Sequence, residues 1–154
     1  MIFWFTGQPH AGKTTLAKYL KTALMISNPL RKIHLVDGDD LRRIINNKDY
    51  SEQGRRINIL QAIAIAKYLE EDVNNDIIVS LVSPYKDLRD SLKATSTVIE
   101  VYIHTKDIRG RENFHVENYE APTEDFIEID TTEIDEITSL NELLTKIQIT
   151  LKNG

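Results

Sequence analysis

Short apolar runs alternate with stretches of helical periodicity along this chain. The runs at Ile2–Thr6, Ile33–Val36, Asp76–Val82, Val98–His104 and Phe126–Ile129 predict strands, and Ile77-Ile78-Val79 reads as a strand buried on both faces. Helical patterns fill the intervals at Lys13–Met25, Asp40–Asn46, Arg55–Glu71 and Pro84–Lys93, and a last one runs from about Ser139 to Leu151. Asn28-Pro29 breaks the first helix, and Asn74-Asn75-Asp76 marks the turn into the third strand. The β-α-β-α order predicts a doubly wound parallel sheet with helices on both faces, where ligands sit at the carboxyl ends of the strands. One segment, Lys106 to Asp125, has no periodicity. A loop of that length in a compact domain is a lid, a binding loop or disorder.

The junction of the first strand and first helix carries Gly7-Gln8-Pro9-His10-Ala11-Gly12-Lys13-Thr14-Thr15, a Walker A pattern. Backbone N–H groups of such a loop and the positive end of the helix cradle phosphates. Lys13 reaches the β- and γ-phosphates, and the Thr14 hydroxyl ligates Mg²⁺. The bland alternative is a glycine-rich turn, but strand-before and helix-after is the context in which the pattern binds a nucleoside triphosphate. The expected architecture is therefore a single domain over residues 1–154 with the three-layer αβα P-loop nucleoside triphosphate hydrolase fold. It has a parallel sheet of about five strands and a lid at 106–125, since phosphoryl transfer needs water excluded.

Composition narrows the partners. The chain has 154 residues, no cysteine and a net charge of −5. Disulfides and thiolate metal sites are ruled out, and a general nucleic-acid binder is disfavoured. No apolar run is long enough to span a membrane, and the first strand starts at residue 2 with no leader before it, so a cytoplasmic protein is expected. Arginines cluster at Arg42/Arg43, Arg55/Arg56, Arg89 and Arg109/Arg111. Each pair alone is a solvated helix face; together they fit a small anionic substrate in a focused pocket.

The second strand ends in Asp37-Gly38-Asp39-Asp40-Leu41-Arg42. Carboxylates there suit Mg²⁺ and its waters, or the orientation of an attacking hydroxyl. Asp39 or Asp40 is equally an N-cap of the next helix. The third strand is followed by Ser83 rather than by the terminal Asp of a Walker B strand, which argues against a motor ATPase or GTPase and moves the acidic role to Asp37 and Asp39.

With these elements the chain resembles the adenylylsulfate kinases, which phosphorylate the ribose 3′-hydroxyl of adenosine 5′-phosphosulfate (APS). The resemblance rests on Phe5-Thr6-Gly7 through Thr15, Asp37-Gly38-Asp39-Asp40-Leu41-Arg42, Tyr50-Ser51-Glu52-Gln53-Gly54-Arg55-Arg56-Ile57-Asn58-Ile59, and Ser80-Leu81-Val82-Ser83-Pro84-Tyr85 with Arg89. Tyr119-Glu120-Ala121-Pro122 and Asp130-Thr131-Thr132 match two further signatures. The resemblance implies ATP and Mg²⁺, with catalytic roles for Lys13, Asp39 and Asp37. Asp39 would serve as base or orienting group at the acceptor hydroxyl, and Asp37 would support the metal beside Thr14. It implies acceptor contacts from Arg42, Arg55 and Asn58 to the phosphosulfate, from Tyr50 to the base, and from Ser83-Pro84-Tyr85 at the anionic end. A homodimer is implied by family habit alone.

Three departures stand out. Gly54 replaces the family's aspartate before Arg55. Pro9 and His10 stand where small residues are usual, with His10 read as a solvated loop residue. The family's lysine-rich lid block is replaced by the shorter Arg109-Gly110-Arg111-Glu112-Asn113-Phe114-His115, in which Phe114 is either the second stacking aromatic or a hydrophobic anchor. These departures bear on the acceptor. They leave open a 3′-kinase of another nucleotide, such as a cytidine diphosphate derivative, and a non-catalytic nucleotide-binding module.

Overall fold

The computed structural model describes residues 1–107 and 115–154. Phe114, Arg109 and Arg111 lie outside the described residues. The elements in chain order are β1 (Ile2–Thr6), α1 (Lys13–Ser27), β2 (Lys32–Asp37), α2 (Gly38–Ile45), α3 (Glu52–Glu70), β3 (Asn75–Ser80), α4 (Lys86–Lys93), β4 (Val98–His104), β5 (Phe126–Asp130) and α5 (Glu136–Asn153). The sheet runs β2-β3-β1-β4-β5, parallel throughout. This is the predicted three-layer αβα P-loop architecture.

Strand β1 is central and wholly buried, so its side chains divide between two cores by the period of two. Phe3 and Phe5 point to the layer of α1 and α5, against Leu16, Leu20, Leu143 and Ile147. Ile2 and Trp4 point to the other layer, against Leu41, Ile59, Ala62, Ala66 and Leu92 from α2, α3 and α4. A strand covered on both faces cannot alternate apolar with polar residues, which is why Ile2-Phe3-Trp4-Phe5 is continuous. None of the helices among the described residues is long and apolar enough to cross a membrane.

Element ends differ from the sequence reading for local reasons. Strand β3 stops at Ser80, not Val82: Leu81 to Tyr85 leave the ladder, Ser83 takes a positive φ of 45°, yet Leu81 and Ser83 to Tyr85 stay buried, so the apolar pattern continues past the strand. Helix α3 begins at Glu52 rather than Arg55, because the Ser51 side chain accepts from the Gly54 N–H and caps it. Helix α4 begins at Lys86, with Tyr85 still extended. Helix α2 is capped by Asp37, not by Asp39 or Asp40.

Candidate active site

The phosphate-binding loop is built around two glycines. A Cβ on Gly7 would sit 2.1 Å from the Ile103 carbonyl oxygen, so β4 presses the loop where only glycine fits. Gly12 holds φ 99° at the start of α1, and no side chain caps that helix. Its first-turn N–H groups are thus left for an anion. Ala11 is buried, and its carbonyl accepts from the Thr131 hydroxyl at 2.9 Å, tying the loop to the end of β5. Lys13 is 7% exposed and donates to the Gln8 carbonyl at 2.7 Å across the loop. Burial pushes its ammonium down to about 8, against the pull of Asp39 and, less strongly, Asp37.

Asp37 is held from two sides. Its Oδ1 accepts from the N–H groups of Asp39 (3.0 Å) and Asp40 (3.4 Å), and its Oδ2 accepts from the Thr14 hydroxyl at 2.8 Å. Capping α2 fixes the rotamer that turns the second oxygen toward the phosphate loop. Mg²⁺ keeps several waters and takes one or two protein oxygens beside substrate phosphates. A hydroxyl and a carboxylate meeting at the loop's edge are a donor set that fits it, with Thr14 and Asp37 as the residues that would hold it. Asp39 is exposed on the first turn of α2.

A cavity of about 1280 Å³ opens at the carboxyl ends of β2 and β3 beside this loop. It exceeds the ~300–1,000 Å³ of a site for one small ligand, so there is room for two. Its wall includes Pro9, His10, Gly12, Lys13, Thr14 and Thr15 on the phosphate side, and Asp37 and Asp39 between. Arg42, Tyr50, Arg55 and Asn58 line it from α2, the 46–51 loop and α3, with Ser83 and Pro84 beside the end of β1, where the Ser83 carbonyl accepts from Thr6. Asn58, Ser83 and also Ser80, which pairs in register with Asp37, are buried, and their Oδ1 and Oγ atoms have no hydrogen-bond partner among the described residues. Orphaned buried polar atoms cost about 1–3 kcal/mol each; these three lie on the cavity wall, where a ligand or water could reach them.

Arg42 and Arg55, both expected at the acceptor's phosphosulfate, line the cavity and are each held by the loop between them. Arg42 Nη1 donates to the carbonyl of Asp49 (2.8 Å) and to the carbonyl and Oδ1 of Asn47 (both 3.2 Å), and its guanidinium lies 4.2 Å from the Tyr50 ring centre. It therefore shapes the 47–50 loop and backs Tyr50, whose ring is 62% exposed. Arg55 donates from Nε to the Tyr50 carbonyl at 2.8 Å. That bond supplies the orientation expected from an aspartate at position 54. An Asp there is sterically excluded, since a Cβ on Gly54 would lie 2.3 Å from the Asp49 carbonyl oxygen and 2.4 Å from its Cγ.

Tyr85 corrects the sequence reading. It is 7% exposed, packs in the α2/α3/α4 core with the Arg56 guanidinium 4.3 Å from its ring centre, and is not on the cavity wall. Burial first, then Glu52, pushes its phenol up. Periodicity carried no signal for Ser80, Asn46, Asn47, Lys48 or His115, which the cavity wall adds.

Arg89 is 1% exposed and braces the turn at Ser83-Pro84 from behind. It pairs with Glu100 (2.7 Å), itself 2% exposed and also paired with Lys93 (2.8 Å). Its other nitrogens donate to the carbonyls of Ser83 (2.5 Å) and Glu120 (2.6 Å). The strained turn at Ser83 is thereby fixed to the far part of the segment expected to be a lid.

The adenylylsulphate kinase family profile matches residues 1–129. An adenylyl-sulfate kinase of Burkholderia ambifaria is 36% identical over 106 residues, covering 66% of this chain and 57% of that protein, so the chain spans little more than half that relative's length. An adenylyl-sulfate kinase of Pseudomonas aeruginosa is 30% identical over 169 aligned residues, covering 96% of this chain and 85% of that one. The solved Mycobacterium tuberculosis APS kinase in complex with AMPPNP and APS shares the fold, with a TM-score of 0.79 over 96% of each chain at 19% identity. Matched over most of its length by the family's profile, this chain belongs to the adenylylsulphate kinase family.

Proposed function

We propose that the protein is an ATP-dependent kinase that transfers the γ-phosphoryl group to the ribose 3′-hydroxyl of APS. The carrying observation is the two-sided cavity: a triphosphate loop with Lys13 on one wall, an aromatic and arginine wall on the other, and Asp39 between. The Tuberculosis relative solved with AMPPNP and APS supports the same pair of ligands here.

In this reading the loop N–H groups and Lys13 hold the β- and γ-phosphates. Mg²⁺, when bound at Thr14 and Asp37, supplies charge neutralisation on the phosphate oxygens. Tyr50 offers its open face to the acceptor's base, braced from behind by Arg42. Arg55 and the orphaned Ser83 hydroxyl take the anionic end, and Asn58 beside them offers its Oδ1 to a donor on the acceptor or to a water. Asp39 orients the 3′-hydroxyl and accepts its proton as the hydroxyl oxygen bonds to the γ-phosphorus and the bond to the β,γ-bridging oxygen breaks, releasing ADP. Most of the work is positioning and charge stabilisation.

The test is ADP release from the purified protein with ATP and Mg²⁺, in separate reactions with APS, with a cytidine diphosphate derivative and with no acceptor. APS-dependent ADP supports the reading. ADP release with only the cytidine compound keeps the kinase and replaces its substrate, and ATP binding without turnover by any acceptor points to a binding module.

A further inference from the structure

Gln8 was read as one more member of the phosphate loop, but its side chain does not serve phosphate. Its Nε2 donates to the Val116 carbonyl at 2.8 Å, and its Oε1 accepts from the Val116 N–H at 2.8 Å. One carboxamide thus saturates both backbone groups of one residue, a pairing of the kind made by adjacent strands. Meanwhile the Gln8 carbonyl accepts from Lys13 Nζ. The residue therefore touches the phosphate-binding lysine with its main chain and the 115–120 arm with its side chain.

The other end of that arm is bound to the acceptor loop. Glu120 N–H donates to the Pro84 carbonyl (2.9 Å), the Glu120 carboxylate accepts from the Lys86 N–H (2.9 Å), and the Glu120 carbonyl accepts from Arg89. Between the ends, Tyr119 and Thr6 meet at 2.9 Å. Thr6 has one proton, which it gives to the carbonyls of Val82 (2.8 Å) and Ser83 (3.1 Å), so Tyr119 is the donor. Burial pushes the Tyr119 phenol well up, which keeps that proton in place.

We propose that Gln8 is a positioning residue: by pairing with Val116 it sets the register of the 115–120 arm, which buttresses Ser83-Pro84 through Glu120 in addition to the direct Thr6 bonds to the Val82 and Ser83 carbonyls. The arm also presents His115, next to the paired residue, on the cavity wall. Acceptor binding, more than nucleotide binding, depends on this residue, because the phosphates are held by loop backbone and Lys13.

Only the kinetic arm of the test rests on the kinase reading above. Two full-length variants are needed, Gln8→Leu and Gln8→Glu. Losing both hydrogen bonds in Gln8→Leu raises amide exchange at Val116 and raises the KM for APS, each by about ten- to hundredfold, while the Kd of a non-hydrolysable ATP analogue moves less than about threefold. In Gln8→Glu the ionised carboxylate still accepts from the Val116 N–H but repels its carbonyl. Protonated, it becomes an isostere of the amide, one donor and one acceptor. Relative to the unaltered protein at the same pH, Gln8→Glu therefore resembles Gln8→Leu near pH ~8 and recovers toward pH ~4, whereas Gln8→Leu does not recover. A role confined to packing would not move with pH. Unchanged Val116 exchange in Gln8→Leu, equal losses in ATP-analogue affinity and APS KM, or no acid recovery of Gln8→Glu would each overturn the proposal. Absence of turnover by the unaltered protein counts against the proposed function alone, and the exchange and acid-recovery measurements still decide the role of Gln8.

Discussion

Raising the pH from 7 to 10 should strip the ligand-free protein of the charge that binds triphosphate, because Lys13 is buried and its ammonium is pushed down to about 8. Bound phosphates restore the charged form, so binding must draw a proton from solution. Suppose phosphate returns Lys13 to its ordinary value of about 10.5. Affinity for a non-hydrolysable ATP analogue then falls roughly tenfold by pH 9 and roughly 70-fold by pH 10 relative to pH 7, following linkage. Proton uptake on binding rises from ~0.1 at pH 7 to ~0.9 at pH 9. The phenols of Tyr85, Tyr102 and Tyr119 are all pushed up by burial, so they do not titrate into this window. Calorimetry in two buffers of different ionisation enthalpy measures the uptake directly. Lys13→Arg is the control, since a guanidinium keeps its charge and flattens the profile. An uptake below ~0.2 at pH 9 with affinity unchanged to pH 10 would refute the argument, because an exposed lysine at its ordinary value behaves that way.

The same burial makes Lys13 a cost to the empty protein. Its folded value lies below its unfolded one, so below pH 8 both states are charged and the folded state carries the desolvation cost; that cost fades as pH rises from about 8 to 10.5. Lys13→Met should therefore stabilise the ligand-free protein at pH 7 by about 2 kcal/mol, a gain of ~3 less ~1 for the lost bond to Gln8, in urea melts, and abolish turnover. Asp39→Asn should lower kcat by about a hundredfold, and shift the pH profile of nucleotide binding downward, since Asp39 is the stronger of the two charges holding Lys13 up. Glu100→Gln leaves the buried Arg89 without its charge partner and should cost about 3–5 kcal/mol in the same melts. Gly54→Ala, whose Cβ would meet Asp49 at 2.3 Å, should displace the 47–50 loop and raise the APS KM with little change in ATP-analogue Kd.

The strands and their order of appearance were legible because a sheet buried on both faces writes continuous apolar runs, and the phosphate loop was legible because its glycines are forced by contact and φ. Element ends were less so. The apolar pattern reports burial, and Leu81, Ser83, Pro84 and Tyr85 are buried without being strand. The cap at Ser51 could have been read from a serine preceding Glu-Gln-Gly, but Arg55 began the clearer periodicity. Asp37 was assigned to metal and its neighbours to the cap; the structure gives Asp37 the cap through Oδ1 and turns its Oδ2 to the Thr14 hydroxyl. Tyr85 carried the pattern of a site residue and the burial of a core one.

Long-range pairings left no trace in local pattern. The Gln8–Val116 pairing joins residues 108 positions apart, and the Thr6–Tyr119 bond spans 113. The departure at Gly54 shows why such pairs matter for reading function. Taken alone, the missing aspartate implied an unoriented Arg55. In the fold, the space of that side chain is filled by Asp49, whose carboxylate accepts from the Ser51 N–H, and whose carbonyl holds Arg42. Arg42 in turn backs Tyr50, and the Tyr50 carbonyl orients Arg55. The orientation has moved from one carboxylate at position 54 into the backbone of a loop packed against it. An acceptor wall fixed by backbone bonds responds to the shape of residues 47–54 as much as to the charge on any one of them. Substitutions at Gly54 and Asn47, neither of which carries charge, should therefore disturb acceptor binding together with changes at Arg55.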